Sequence, residues 1–158
     1  MPIEKEDTMR SFVIRTVFAA GLLATSLAAL PDTVQADNMM AACEAEIVAN
    51  CTGVSKGRGR ISACLYAHDD KLFGACKSEV IKVSNSRAFQ KNMPTGVQSL
   101  QGSEYEAGLR NACTSDADEL CTGVKTGNGR ILACIYSRSN SVSNACSSAT
   151  KIVLNKLK

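Results

Sequence analysis

Cys51-Thr52-Gly53-Val54, followed by Gly57-Arg58-Gly59-Arg60-Ile61-Ser62-Ala63-Cys64-Leu65-Tyr66, returns 70 residues later as Cys121-Thr122-Gly123-Val124 and Gly127-Asn128-Gly129-Arg130-Ile131-Leu132-Ala133-Cys134-Ile135-Tyr136. The cysteines around it fall at 43, 51, 64 and 76, then at 113, 121, 134 and 146, with gaps of 8, 13 and 12 both times. Between Ala42–Val83 and Ala112–Val153, 17 of 42 aligned positions are identical. This is an internal duplication, and it sets the architecture before any local reading does.

The periodicity inside each copy is helical. Ile61, Cys64, Leu65 and His68 stand at i, i+3, i+4 and i+7, as do Ile131, Cys134, Ile135 and Arg138. Leu72, Cys76, Val80 and Val83 form a second stripe, matched by Val142, Cys146, Ala149 and Val153. Gly53 and Gly123 follow cysteine-ending segments, where a left-handed helix cap wants glycine. Asp69-Asp70 and Ser139-Asn140 are suited to starting helices. The pattern predicts helices over about Met40–Cys51, Arg58–Ala67 and Asp70–Ser84, then Glu106–Cys121, Asn128–Ser137 and Ser141–Leu157. The expected fold is all-α, with two tandem repeats spanning 37–84 and 104–158. Residues 85–103, with Pro94, Gly96 and Gly102 and little periodicity, read as a connector.

Geometry narrows the disulfides. Cys43 and Cys51 on one helix would stand about 12 Å apart at 1.5 Å per residue, beyond the roughly 7 Å a disulfide tolerates between Cα atoms. Nested or crossed pairing remains for each copy. In an up-down-up arrangement Cys43 and Cys76 both lie near the starts of parallel helices, and Cys51 meets Cys64 across the first hairpin. Cys43–Cys76 with Cys51–Cys64, and Cys113–Cys146 with Cys121–Cys134, are therefore the expected bridges.

The N-terminal stretch carries an export signal. Val17 to Leu30 is a run of 14 apolar or small residues behind Arg10 and Arg15. Pro31 follows, and Val34-Gln35-Ala36 offers small residues to a signal peptidase. Cleavage is expected after Ala36, which makes 1–36 a signal peptide. Glu4, Glu6 and Asp7 suit a basic leader poorly, which points to Met9 as the true start. The run is short for a membrane span, which needs roughly 20 apolar residues, so a retained anchor is the alternative rather than the expectation. The compartment is periplasmic or secreted, and an even cysteine count in an exported chain reads as disulfides.

Removing residues 1–36 takes 3 basic and 4 acidic side chains from totals of 18 and 15, leaving 15 and 11, a net +4. That balance falls short of a nucleic-acid binder. Aromatics are few after the leader (Tyr66, Phe73, Phe89, Tyr105 and Tyr136), so the core is thin and needs its bridges.

The cysteine frame and the Gly-x-Gly-Arg-Ile-x-x-Cys-Leu/Ile core resemble the cysteine-rich repeat of the Golgi apparatus protein family, also described as the cysteine-rich fibroblast growth factor receptor and E-selectin ligand family. The resemblance covers both copies. It implies an extracytoplasmic, disulfide-bonded, non-enzymatic binding module in tandem array. Animal members carry many repeats and a membrane anchor, whereas this chain has two repeats behind a leader of bacterial style, so the growth-factor and selectin ligands are not carried over.

Among candidate sites, Arg60 and Arg130 are the charged side chains shared by the matched cores. With Gly57, Gly59, Gly127 and Gly129 exposing backbone N–H groups at a helix start, they define an anion-binding candidate. The structural alternative is an ion pair from each arginine to Glu46 or Asp116 in its own repeat. Thiolate binding of copper or zinc is the second functional class, but the chain has no Cys-x-x-Cys and its single histidine, His68, becomes Arg138 in the other copy. No metal or cofactor is expected. His68, Asp69 and Asp70 suggest an acid–base cluster, with an exposed inter-helix turn as the simpler reading. The chain lacks Gly-x-Ser-x-Gly, His-Glu-x-x-His and Gly-x-x-x-x-Gly-Lys, leaving an enzyme with its site between the repeats as a third class. The expected partner is an extracytoplasmic protein or glycan.

Overall fold

The computed structural model describes residues 32–93 and 104–156, with side chains described for 37–93 and 107–156. The expected leader, apart from 32–36, lies outside the described residues. So do Pro94, Gly96 and Gly102. Among the described residues the chain is helical throughout: α1 (Asp32–Ala42), α2 (Glu44–Asn50), α3 (Arg60–Ala67), α4 (Gly74–Ser84), α5 (Arg87–Asn92), α6 (Glu104–Leu120), α7 (Arg130–Ser137) and α8 (Asn144–Lys156). A single 3₁₀ turn covers Asp69–Lys71. None of these helices is long and apolar enough to cross a membrane.

Each repeat is an up-down-up hairpin of three arms. The first arm of repeat one bends at Cys43, yet Cys43 N–H still donates to Met39 O and Ile47 N–H to Cys43 O, so α1 and α2 form one rod. The matching arm, α6, runs unbroken through Cys113. Nested bridges staple the arms: Cys43–Cys76 and Cys113–Cys146 with Cα atoms 4.6 Å apart, Cys51–Cys64 and Cys121–Cys134 with Cα atoms 5.9 Å apart. All eight cysteines are buried, and they form much of the core. Small domains that bury little aromatic area draw their stability from such staples.

The third arms start later than periodicity suggests. After Asp69–Lys71 the chain extends through Leu72 and Phe73, and α4 begins at Gly74. In repeat two the cap is Ser143: its Oγ accepts from Cys146 N–H at 3.2 Å, while the Asp116 carboxylate accepts from Ser143 N–H at 2.7 Å and from its hydroxyl at 2.8 Å. Asp69-Asp70 and Ser139-Asn140 therefore stand in the turn and start neither helix. The connector also contains structure that its weak pattern does not announce. Ser86 caps α5 by accepting from Phe89 N–H, and Phe89 and Met93 are buried, with the Phe89 ring 5.9 Å from that of Tyr66.

The two repeats dock through α3 and α7, the middle arms. Both are covered on nearly every side. Besides the periodic stripe, Ser62, Ala63 and Ala67 are buried in α3, and Leu132, Ala133 and Ser137 at the matching positions of α7. A helix buried all round needs small or apolar residues on its second face, and both middle arms supply them. The docking is reciprocal under the 70-residue offset. Tyr66 Oη donates to Asn128 O at 2.8 Å, and Tyr136 Oη donates to Arg58 O at 2.6 Å. Arg58 and Asn128 occupy matched sites, both with positive φ (53° and 51°) between glycines that are also left-handed. Each loop thus turns its carbonyl outward to the other repeat's tyrosine.

Candidate functional site

Arg60 and Arg130 begin α3 and α7, and their guanidinium groups fold back on the loops before them. Arg60 Nε donates to Ser55 O at 2.9 Å and Nη2 to Lys56 O at 2.6 Å. Arg130 Nε donates to Lys125 O at 3.1 Å and Nη2 to Thr126 O at 2.6 Å. These bonds brace the left-handed loops 57–59 and 127–129, where Gly57, Gly59, Gly127 and Gly129 are needed for their positive φ. Two of the three guanidinium nitrogens of each arginine are thus committed to backbone carbonyls of the loop before it.

Among the described residues neither arginine pairs with the acid of its own repeat, Glu46 or Asp116. Asp116 is taken by Ser143, and Arg130 Nη1 donates across the seam to Asp69 Oδ1 at 2.9 Å. The neighbouring bond, Lys125 Nζ to Asp70 Oδ2 at 3.0 Å, also crosses the seam. Its counterpart under the offset is neutral, with Asn140 Nδ2 donating to Ser55 Oγ at 3.3 Å. The seam is therefore bonded at both ends, with ions at one and amides and hydroxyls at the other. The hydrogen bond from Lys125 holds Asp70 below the usual carboxylate range.

His68 is not on an exposed turn as expected: it is 7 % exposed, at the end of α3. Asp69 and Asp70 bond to Arg130 and Lys125 rather than to His68. Its Nδ1 is buried without a hydrogen-bond partner. Burial, with the Lys71 and Arg138 charges adding, lowers its pKa from the ordinary histidine value against the opposing effect of Asp70.

His68 lines a half-open cleft of about 270 Å³ between the repeats. Three pairs of lining residues are related by the offset: Ala49 and Glu119, Asn50 and Leu120, His68 and Arg138. The cleft therefore sits on the pseudo-twofold axis, with Lys71 and Thr122 completing its wall. The ends of α2 and α6 face it, and their C-terminal carbonyls bring partial negative charge. Sequence reasoning missed this cleft because Lys71, Glu119 and Arg138 belong to no motif. The one signal was the break in the duplication, where three matched positions, 49/119, 68/138 and 71/141, carry a formal charge in one copy only.

All eight sulfurs are in bridges, and among the described residues no group of three or more His, Cys, Asp or Glu side chains converges as a metal site. No family model, curated protein or solved structure matches the chain.

Proposed function

We propose that the chain is an exported, non-enzymatic binding or scaffold module for an extracytoplasmic protein or glycan, acting in the periplasm or after secretion. The observation that carries this reading is the bridge set: four nested disulfides bury every cysteine of the chain. Such bridges persist in oxidising compartments. The export signal expected over 1–36 leads to the same place, as does the resemblance to the cysteine-rich repeat family. The seam bonds tie the two copies together, and such preorganisation lowers the ordering cost of binding. The cleft between the repeats lends weight to a second reading, an enzyme with its site there. Its imidazole shares the cleft wall with two cations, Lys71 and Arg138, which suits holding a ligand better than relaying a proton.

The experiment is a mass measurement on the natively exported protein, alkylated with and without prior reduction, followed by capture from the cell envelope with the oxidised and the reduced chain as paired baits. The expected outcome is cleavage after Ala36, no thiol before reduction, and a partner retained only by the oxidised bait. Free thiols, or a mass excess matching copper or zinc, would make the chain a thiolate metal protein instead. Equal capture by both baits removes the folded module as the binding element.

A further inference from the structure

Lys71 and Arg138 differ from the other cations of the seam. Arg60, Arg130 and Lys125 are engaged by carbonyls or carboxylates, whereas Lys71 and Arg138 make no side-chain hydrogen bond or ion pair among the described residues. Each reaches into the other repeat. A Cβ on Gly123 would stand 3.3 Å from Lys71 Nζ, and one on Gly53 would stand 3.6 Å from Arg138 Nη1. These glycines follow the C-terminal ends of α6 and α2, each worth about half a negative charge, so the helix ends offset the two cations only in part. His68 shares the cleft wall with them, buried and with Nδ1 unpartnered among the described residues. The acid on the rim is Glu119, which is exposed and bonds to neither cation.

We propose that this cleft binds a small oxyanion, a carboxylate or a phosphate, clamped between Lys71 of the first repeat and Arg138 of the second. The guanidinium supplies a planar fork for two oxygens, and the ammonium a point charge opposite it. Glu119 disfavours polyanions and commits the site to one compact charged group. Because the clamp needs one cation from each repeat, neither copy alone contains it.

The proposal narrows the binding reading above but stands on the cleft alone. A chain that captures an envelope partner while ignoring small oxyanions keeps the first and loses the second, and the reverse pattern does the opposite.

His68 is the only histidine in the chain, so its ring protons give a single reporter in proton NMR. The oxidised exported protein is titrated near neutral pH with inorganic phosphate and, separately, with acetate and succinate. A saturable shift of the His68 signals is expected with at least one of them, and saturation should raise the His68 pKa because the anion offsets Lys71 and Arg138. Lys71→Ala and Arg138→Ala should each weaken binding at least fivefold. Lys71→Arg should retain it, and Lys82→Ala on α4 should leave it unchanged. Helical circular dichroism and the absence of free thiols establish that each variant is folded. A phosphate-only or carboxylate-only response identifies the source of the oxyanion. No saturable shift with any of the three, or undiminished affinity in either alanine variant, overturns the proposal.

Discussion

Replacing Arg130 by alanine should cost more than replacing Arg60, although the two arginines occupy identical places in the duplication. Arg60→Ala removes two donors from Ser55 O and Lys56 O. Those carbonyls are exposed, so water replaces the lost partners, and each bond is worth about 0.5 kcal/mol, the low end of the range. The expected cost is about 1 kcal/mol. Arg130→Ala removes the equivalent pair to Lys125 O and Thr126 O and also the bond to Asp69 at 2.9 Å. The Arg130 side chain is 16 % exposed and Asp69 41 % exposed, which places this ion pair toward the upper part of the roughly 0.2–1 kcal/mol seen for accessible pairs. The expected cost is thus about 1.5–2 kcal/mol. Repeat one has no equivalent pair, since Ser139 stands where Asp69 would be matched. Urea denaturation of the oxidised variants, followed by circular dichroism at low salt, measures both losses. Asp69→Asn in each background completes a double-mutant cycle, whose coupling should be about 0.5–1 kcal/mol with Arg130 and close to zero with Arg60. Raising the salt to about 0.5 M should shrink the difference, because exposed charge is screened. Equal losses for the two arginines, or a coupling as large with Arg60 as with Arg130, would refute the assignment of the seam.

The bridges should differ with the length of chain they close. Replacing Cys43 and Cys76 by alanine opens a separation of 33 residues and replacing Cys51 and Cys64 one of 13, for losses of about 3.7 and 2.9 kcal/mol by the chain-entropy relation. Denaturation of the two double variants checks this, and a larger loss from the shorter loop contradicts it. Acid should also act through His68, which burial, Lys71 and Arg138 hold below its ordinary value against Asp70. The unfolded chain then takes up its proton first, so stability is full above about pH 6.5 and falls as the pH drops toward the folded-state pKa. His68→Gln should flatten that slope, and an unchanged slope in the variant assigns the effect elsewhere.

The duplication, the helical arms and the choice between nested and crossed bridges were legible in the residues themselves. They rest on short-range quantities: the repeat of apolar positions along one helix, the rise per residue, and the distance a disulfide spans. The burial of Ile61, Cys64 and Leu65 follows from the same periodicity. Short elements were less legible. The α5 helix is six residues long, too short to establish a period, and what holds it is the Phe89 contact with Tyr66. The third arm of repeat two starts at Asn144 because Asp116 reaches the cap Ser143 from 27 residues away, and that of repeat one starts at Gly74 after the extended Leu72 and Phe73.

Only the tertiary structure decided what lies between the repeats. The seam is made by bonds between residues 55 to 85 apart, from Lys125–Asp70 to Asn140–Ser55, and no local pattern encodes which faces of two similar units meet. The second buried face of α3 and α7, with its matched Ala63 and Ala133, reads in sequence as a surface with small residues. His68 looks like part of an exposed acidic turn until the other repeat covers it. The cleft exists because the duplication is imperfect at the place where its two halves meet: docking supplies the walls, and the divergence of His68 and Arg138 supplies the chemistry.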